Sequence, residues 1–289
     1  MRGMDAKFPV HWKSGSLKYS DSQALAEGGT AKLSSCMDLN LNRVVAYKTL
    51  HEHLRESDVE TARFVREARV TANIQHPGTV PLYELGRDRH GNLFFTMKKV
   101  EGRDLREIIL ALHAGDPETK KQFPLPRLID VLIQVANCVA YAHSQGVIHR
   151  DLKPANVIIG SFGEALVLDW GLAKILGEAE QVDEGPTTTV PETDLDLTPA
   201  GRRYGTPLYM SPEIALGDAD IDGRSDVFSL GIILFEILTH QQLLSGHDVH
   251  AVIDCLLNKP LRWPRNVAPE LKPPPELEAI CIKALRKDK

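Results

Sequence analysis

Cysteine is scarce in this 289-residue sequence: Cys36, Cys138, Cys255 and Cys281 are scattered, with no paired metal-ligand spacing. That argues against a disulfide framework or a structural zinc site and predicts buried or free thiols in a reducing compartment, the cytoplasm. An excess of basic charge is also missing. The net charge is −5, which gives no footprint for nucleic acid. Long apolar runs are missing too. The most apolar one, Val227 to Leu238, is interrupted by Glu236 and falls short of the roughly 20 residues that span a bilayer. Met1 to Lys13 lacks the continuous apolar core of a signal peptide. No internal repeat and no membrane segment are expected. What is present, 43% apolar and 25% charged residues, is the composition of an ordinary globular protein. The length exceeds the roughly 250 residues at which one core stops growing, so two lobes are expected.

Residues 1–18 have little to pack and read as a leader. Leu25 to Leu33 predicts a strand, a tight turn and a returning strand, and Arg43 to Lys48 is a β-branched run ending on lysine. Ser57 with Glu60 forms a capping box for a helix to about Gln75, with Phe64, Val65, Ala68 and Ala72 on one face. Val80 to Leu85 and Leu93 to Met97 read as further strands, so residues 19–97 predict a small antiparallel sheet with one main helix. Lys98 to Gly102 reads as a connector. From residue 103 the pattern turns helical. Asp104 to Ala114 is short, and Gly115 to Pro126, with three prolines, reads as a loop. Leu128, Val131, Val135, Val139 and Ala142 mark a long helix ended by Gly146. Val157 to Ile159 and Leu166 to Leu168 are short strands flanking a turn. Ile175 to Gly201 carries seven acids and no lysine or arginine, and is expected to be mobile. Ser225 to Leu238 is apolar on nearly every side, the mark of a buried helix. Two more helices are predicted, near Val249 to Leu257 and Glu276 to Arg286. The fold class is α+β.

The chemistry concentrates in His149-Arg150-Asp151-Leu152-Lys153-Pro154-Ala155-Asn156, between the long helix and a short strand. Asp151 can accept the proton of an incoming hydroxyl, Lys153 can neutralise a transferring phosphoryl group, and Asn156 can help hold a metal ion. That set suits phosphoryl transfer, in which the protein positions charge rather than supplying covalent chemistry.

Other pieces follow in order: a glycine-containing turn, Val45-Ala46-Tyr47-Lys48, the helix residue Glu67, the octet, Asp169-Trp170-Gly171, Ser211-Pro212-Glu213, and Asp226 opening the buried helix. Their order and spacing resemble the protein kinase signature set over about residues 18–289, and within it the bacterial, eukaryotic-type (Hanks-type) serine/threonine kinases. The resemblance implies a bilobal kinase fold with a leader at 1–18, an N-lobe at 19–97, a hinge at 98–102 and a C-lobe at 103–289 holding an activation segment at 169–213. It implies ATP and magnesium as cofactors and protein substrates bearing serine or threonine. Lys48, fixed by Glu67, would hold the α- and β-phosphates, and Gly28 would keep its place in the phosphate loop. Leu25, Leu33, Ala46 and Ile158 would wall the adenine and Met97 would lie behind it. Lys98 to Val100 would meet the base edge and Asp104 the ribose. Asp151 and Lys153 would be catalytic, and Asn156 and Asp169 would hold magnesium. Thr206 would shape the substrate floor. Arg63, Arg150 and Lys174 are read as three unneutralised cations that would receive a phosphate on Thr198.

The sequence departs from the family in three places. Ala26 and Ala31 stand where the first and third glycines of the phosphate loop are usual, and Trp170 replaces the phenylalanine of Asp-Phe-Gly. The sequence also stops at Lys289, before the arginine that in the family pairs with the glutamate at the position of Glu213. A longer parent protein, with a regulatory or sensor domain beyond Lys289, or a lost clamp is expected. Two rival readings are a catalytically dead binding module of the same fold and a small-molecule kinase of the choline or aminoglycoside type.

Overall fold

The computed structural model describes residues 13–177, 207–218, 220–245 and 248–288. They divide into two compact units, the first running to Gln75 and resuming over Val80–Val100, the second comprising His76–Thr79 and the chain from Glu101 on.

In the first unit, β1 (Tyr19–Glu27), β2 (Ala31–Asp38), β3 (Arg43–Leu50), β4 (Leu82–Arg87) and β5 (Leu93–Lys98) form one antiparallel sheet in the order β1-β2-β3-β5-β4. Its helix, α1 (Asp58–Asn73), starts where the Ser57 side chain accepts the Glu60 N–H, with Asp58 and Glu60 in the first turn. This cap satisfies one of the orphan donors of the helix end and opposes its dipole. Phe64 and Ala68 bury against Leu50, Leu93 and Phe95, with the Phe64 and Phe95 rings 5.0 Å apart. Val70, not Ala72, is the third buried residue of the helix, and Ala72 is exposed. Alternation in the strands places a second layer on the opposite sheet face. There Tyr47 stacks on Phe94 at 4.6 Å, and the Tyr19 hydroxyl donates to Glu84 Oε2 at 2.7 Å. Residues 13–18, read above as leader, are held in this unit. Lys18 Nζ lies 2.7 Å from Glu84 Oε2, and Asn40 binds the backbone of Lys13 from both sides.

The second unit is mostly helical. β6 (Gly102–Asp104) leads into α2 (Leu105–His113), capped by Asp104. The predicted loop over 115–126 instead contains α3 (Pro117–Gln122). Proline at the first turn of a helix loses no hydrogen bond there, and the Asp116 side chain accepts the Thr119 N–H as a cap. α4 (Leu125–Ser144) begins on the same logic, with Pro126 inside its first turn. By length and composition α4 could cross a membrane. In this unit its face of Leu128, Val131, Val135, Cys138, Val139 and Ala142 is buried. β7 (Val147–Ile148), β8 (Val157–Gly160), β9 (Ala165–Val167) and β10 (Lys174–Ile175) follow, β8 pairing with both β6 and β9, and β7 with β10. After α5 (Pro212–Leu216) comes α6 (Arg224–Thr239), buried on nearly every side as predicted, then α7 (Val249–Asn258), α8 (Pro264–Val267) and α9 (Pro275–Ala284). α9 approaches α6 at Gly231, where a Cβ would meet Ala284 and Leu285 at 3.0 Å. Fully burying a side chain such as Ile232 or Phe235 contributes about 1.5–3 kcal/mol each, so α6 is the spine of this unit. The fold is the expected α+β architecture, one sheet-rich unit and one helical unit.

Candidate active site

The octet His149 to Asn156 hangs from α6. Asp226, with 0% of its surface exposed, sits in the first turn of that helix. Its Oδ2 accepts the His149 N–H at 2.9 Å and its Oδ1 the Arg150 N–H at 2.9 Å, while His143 Nε2 lies 2.7 Å from Oδ2. A buried carboxylate is tolerated when its lone pairs are filled this way. The two backbone bonds hold Arg150 at a φ of 66°, a left-handed conformation that costs a non-glycine residue about 1–2 kcal/mol. The Arg150 guanidinium meanwhile donates from Nε to Leu172 O at 2.7 Å. His149 is fixed at both ring nitrogens: Nδ1 accepts the Asp151 N–H at 3.2 Å, and Nε2 donates to Leu168 O at 3.1 Å.

Asp151 is thereby presented from a loop with little freedom, and it is 7% exposed. Lys153 Nζ lies 2.8 Å from its Oδ2, and Asn156 Nδ2 donates to its backbone oxygen at 2.9 Å and to Oδ2 at 3.3 Å. Those contacts fix the orientation of the carboxylate. With its Nδ2 engaged by Asp151, Asn156 has its side-chain carbonyl oxygen as the atom a cation would take. The Leu168 N–H donates to the Asn156 backbone at 2.8 Å, joining the octet to the Asp169 turn. In that turn Asp169 is exposed with a φ of 60°. Trp170 is buried beneath it, its ring 4.5 Å from that of His149 and its indole Nε1 without a hydrogen-bond partner. Asp169 and Asn156 offer hard oxygen donors, which suit magnesium that completes its shell with phosphate and water. Among the described residues no group of three or more His, Cys, Asp or Glu is placed to hold a metal unaided.

Within the first unit, Lys48 on β3 and Glu67 on α1 lie 2.5 Å apart, with side chains 23% and 14% exposed. Ala46 pairs with Met97 across β3 and β5, and Leu33 with Lys48 across β2 and β3. Leu25 is largely exposed, as is Gly28, and Val100 is half-buried. In the second unit Ile158 pairs with Asp104, whose Oδ1 is engaged by the Glu107 N–H at 2.8 Å. Lys174 pairs with Ile148 in the β10–β7 ribbon. Thr198 and Thr206 lie outside the described residues.

Three expectations are corrected. Ala26 and Ala31 do not occupy turn positions that need glycine. Ala26 pairs with Leu33, Ala31 pairs with Leu50 and is 7% exposed, and neither Gly28 nor Gly29 has a positive φ. Both alanines are strand residues, where a Cβ brings no backbone strain. Arg63 is not an unneutralised cation, since Glu60 Oε1 lies 3.0 Å from its Nη1. Glu213 is not left without a partner either, because Ser225 Oγ donates to its Oε1 at 2.5 Å. Sequence reasoning placed Asp226 in the pattern but missed what it does. The available signal was a lone acid opening an otherwise apolar helix.

The model of the protein kinase domain family matches residues 19–288. Among curated proteins, the chain is 38% identical over 229 residues to the serine/threonine-protein kinase PknD of Protochlamydia amoebophila, covering 76% of this chain and 23% of that one. It is 35% identical to a probable serine/threonine-protein kinase of Streptomyces coelicolor, over 94% of this chain and 37% of that one. The corresponding figures for the serine/threonine-protein kinase pkn3 of Myxococcus xanthus are 32%, 94% and 46%. The chain therefore belongs to the protein kinase family and resembles its bacterial serine/threonine members. It spans between about a quarter and a half of the length of these relatives.

Proposed function

We propose that this chain is the catalytic domain of a serine/threonine protein kinase, transferring the γ-phosphoryl group of Mg-ATP to a protein hydroxyl. The observation that carries this reading is Asp151 held by Lys153 and Asn156 in a loop fastened to buried Asp226. Asp151 accepts a hydrogen bond from the substrate hydroxyl, orients it and takes its proton as the new O–P bond forms and the bond between the γ-phosphorus and the departing ADP oxygen breaks. Lys153, 2.8 Å from that carboxylate, offsets negative charge on the phosphoryl group in transit. Lys48, oriented by Glu67, grips the α- and β-phosphates, and Leu33, Ala46, Met97 and Ile158 supply apolar surface for the base. Magnesium, held by Asn156 and Asp169, would neutralise charge on the phosphates when bound.

Specificity for serine and threonine is supported by Lys153 two residues after Asp151 and by Thr206 before Pro207. We assign regulation to phosphorylation of Thr198, with Arg150 and Lys174 of the second unit among its receivers. The cytoplasm is the proposed compartment, on the strength of the free cysteines. A regulatory region outside these residues is supported by the greater length of the relatives.

The test is incubation with γ-labelled ATP, magnesium and a generic protein acceptor. Label on serine or threonine that disappears when magnesium is chelated is the expected result. Nucleotide binding without transfer would identify a dead module, and label only on small alcohols or amines a small-molecule kinase.

A further inference from the structure

The turn between β1 and β2 is tied together by a residue that no part of the kinase signature names. The Gly28 N–H donates to Ala31 O at 2.9 Å, closing the hairpin. His51, directly after β3, then grips the turn twice. Its backbone N–H donates to Thr30 O at 3.0 Å, and its ring Nε2 lies 2.8 Å from Gly28 O. A carbonyl only accepts, so Nε2 carries the hydrogen. The ring is backed by His53, stacked at 5.4 Å. Without this grip the turn has little to hold it. Its residues are exposed, a Cβ on Gly29 would meet nothing within 4 Å, and the strand register is irregular between Ala24 and Ala26. His51 stands three residues after Lys48 on the same run of chain. One strand end thus sets both the lysine and the turn.

We propose that His51 is a positioning residue for nucleotide binding. By donating to Gly28 O it fixes the turn whose remaining backbone amides meet the phosphates, and it locks that turn to the strand bearing Lys48. The proposal rests on the ATP-dependent reading above. It also accounts for a working phosphate turn in which the flanking positions are strand alanines: a side-chain clamp takes over the ordering.

The discriminating pair is His51→Gln and His51→Met. Glutamine places an amide donor near the position of Nε2, and methionine has similar length and no donor. ATP affinity by titration calorimetry, KM and kcat are measured for both beside the unmodified chain, with melting temperatures to check folding. Removal of one hydrogen bond of ordinary net strength predicts that His51→Met weakens ATP binding about 3- to 10-fold. KM should rise more than kcat falls, and His51→Gln should stay within about twofold of the unmodified chain on the same reasoning. Equal affinity in all three proteins would overturn the clamp and leave the kinase reading standing. Equal losses in both variants would overturn it as well, since the ring and not the donor would then matter. An unmodified chain that binds no ATP would instead overturn the kinase reading, and the clamp with it.

Discussion

The two units hold their functional groups by different means. In the first, Lys48 and Glu67 meet as an ion pair that keeps some contact with solvent, and the glycine turn is held by one histidine. In the second, the octet is fastened to a fully buried carboxylate that accepts two backbone N–H groups and touches a histidine. A pair in contact with solvent is less costly to make and break than a fully buried hydrogen-bonded charge. The difference suits the chemistry. On the proposed function, Asp151 must hold one geometry through the transfer, while the groups that grip a nucleotide must also release it.

The strongest way to break the contrast is Asp226→Asn. It places an amide donor against two backbone donors, and should destabilise the protein by about 2–4 kcal/mol in urea unfolding and abolish transfer. A loss under about 1 kcal/mol would show that the loop stands without its anchor. Next comes Glu236, also on α6, whose carboxyl burial pushes up to about 7, with the Tyr209 hydroxyl 3.2 Å from its Oε2. The folded state keeps this proton after the unfolded chain has released it near its ordinary value of 4.5. Its contribution is therefore complete below about pH 4.5 and lost as pH rises through about 7. Glu236→Gln should flatten that decline and gain on the order of 2 kcal/mol relative to the parent above neutrality. Parallel stability–pH curves for the two proteins would refute it. Smallest in stability is Lys48→Met, with a shift of about 1 kcal/mol because the pair keeps some contact with solvent. Its effect should appear instead as lost nucleotide affinity. If it unfolded the protein, the first unit would be anchored as firmly as the second.

Much of this was legible in the sequence because the informative residues are close together. Lys48 ends a β-branched strand, Glu67 lies on a capped helix, and the octet spans eight residues. What could not be read depends on contacts across the chain. Asp226 is 77 residues from His149, and no periodicity announces which N–H groups a buried acid will accept. The same holds for Ser225 with Glu213, and for the imidazole of His51 with Gly28. The misread loop at 117–122 has a local cause: proline breaks a helix only beyond its first turn, and Pro117 stands at the start. Motif position likewise does not give the backbone conformation of Ala26 and Ala31, because the strand ladder runs farther than the motif suggests.

The central claim is that Asp151 orients and deprotonates the acceptor hydroxyl, and single-turnover phosphoryl transfer by Asp151→Asn beside the unmodified chain tests it most directly. At saturating Mg-ATP and equal nucleotide affinity, transfer should fall about 10²- to 10⁴-fold. An Asp151→Asn protein that transfers label to serine or threonine at the unmodified rate would contradict the account.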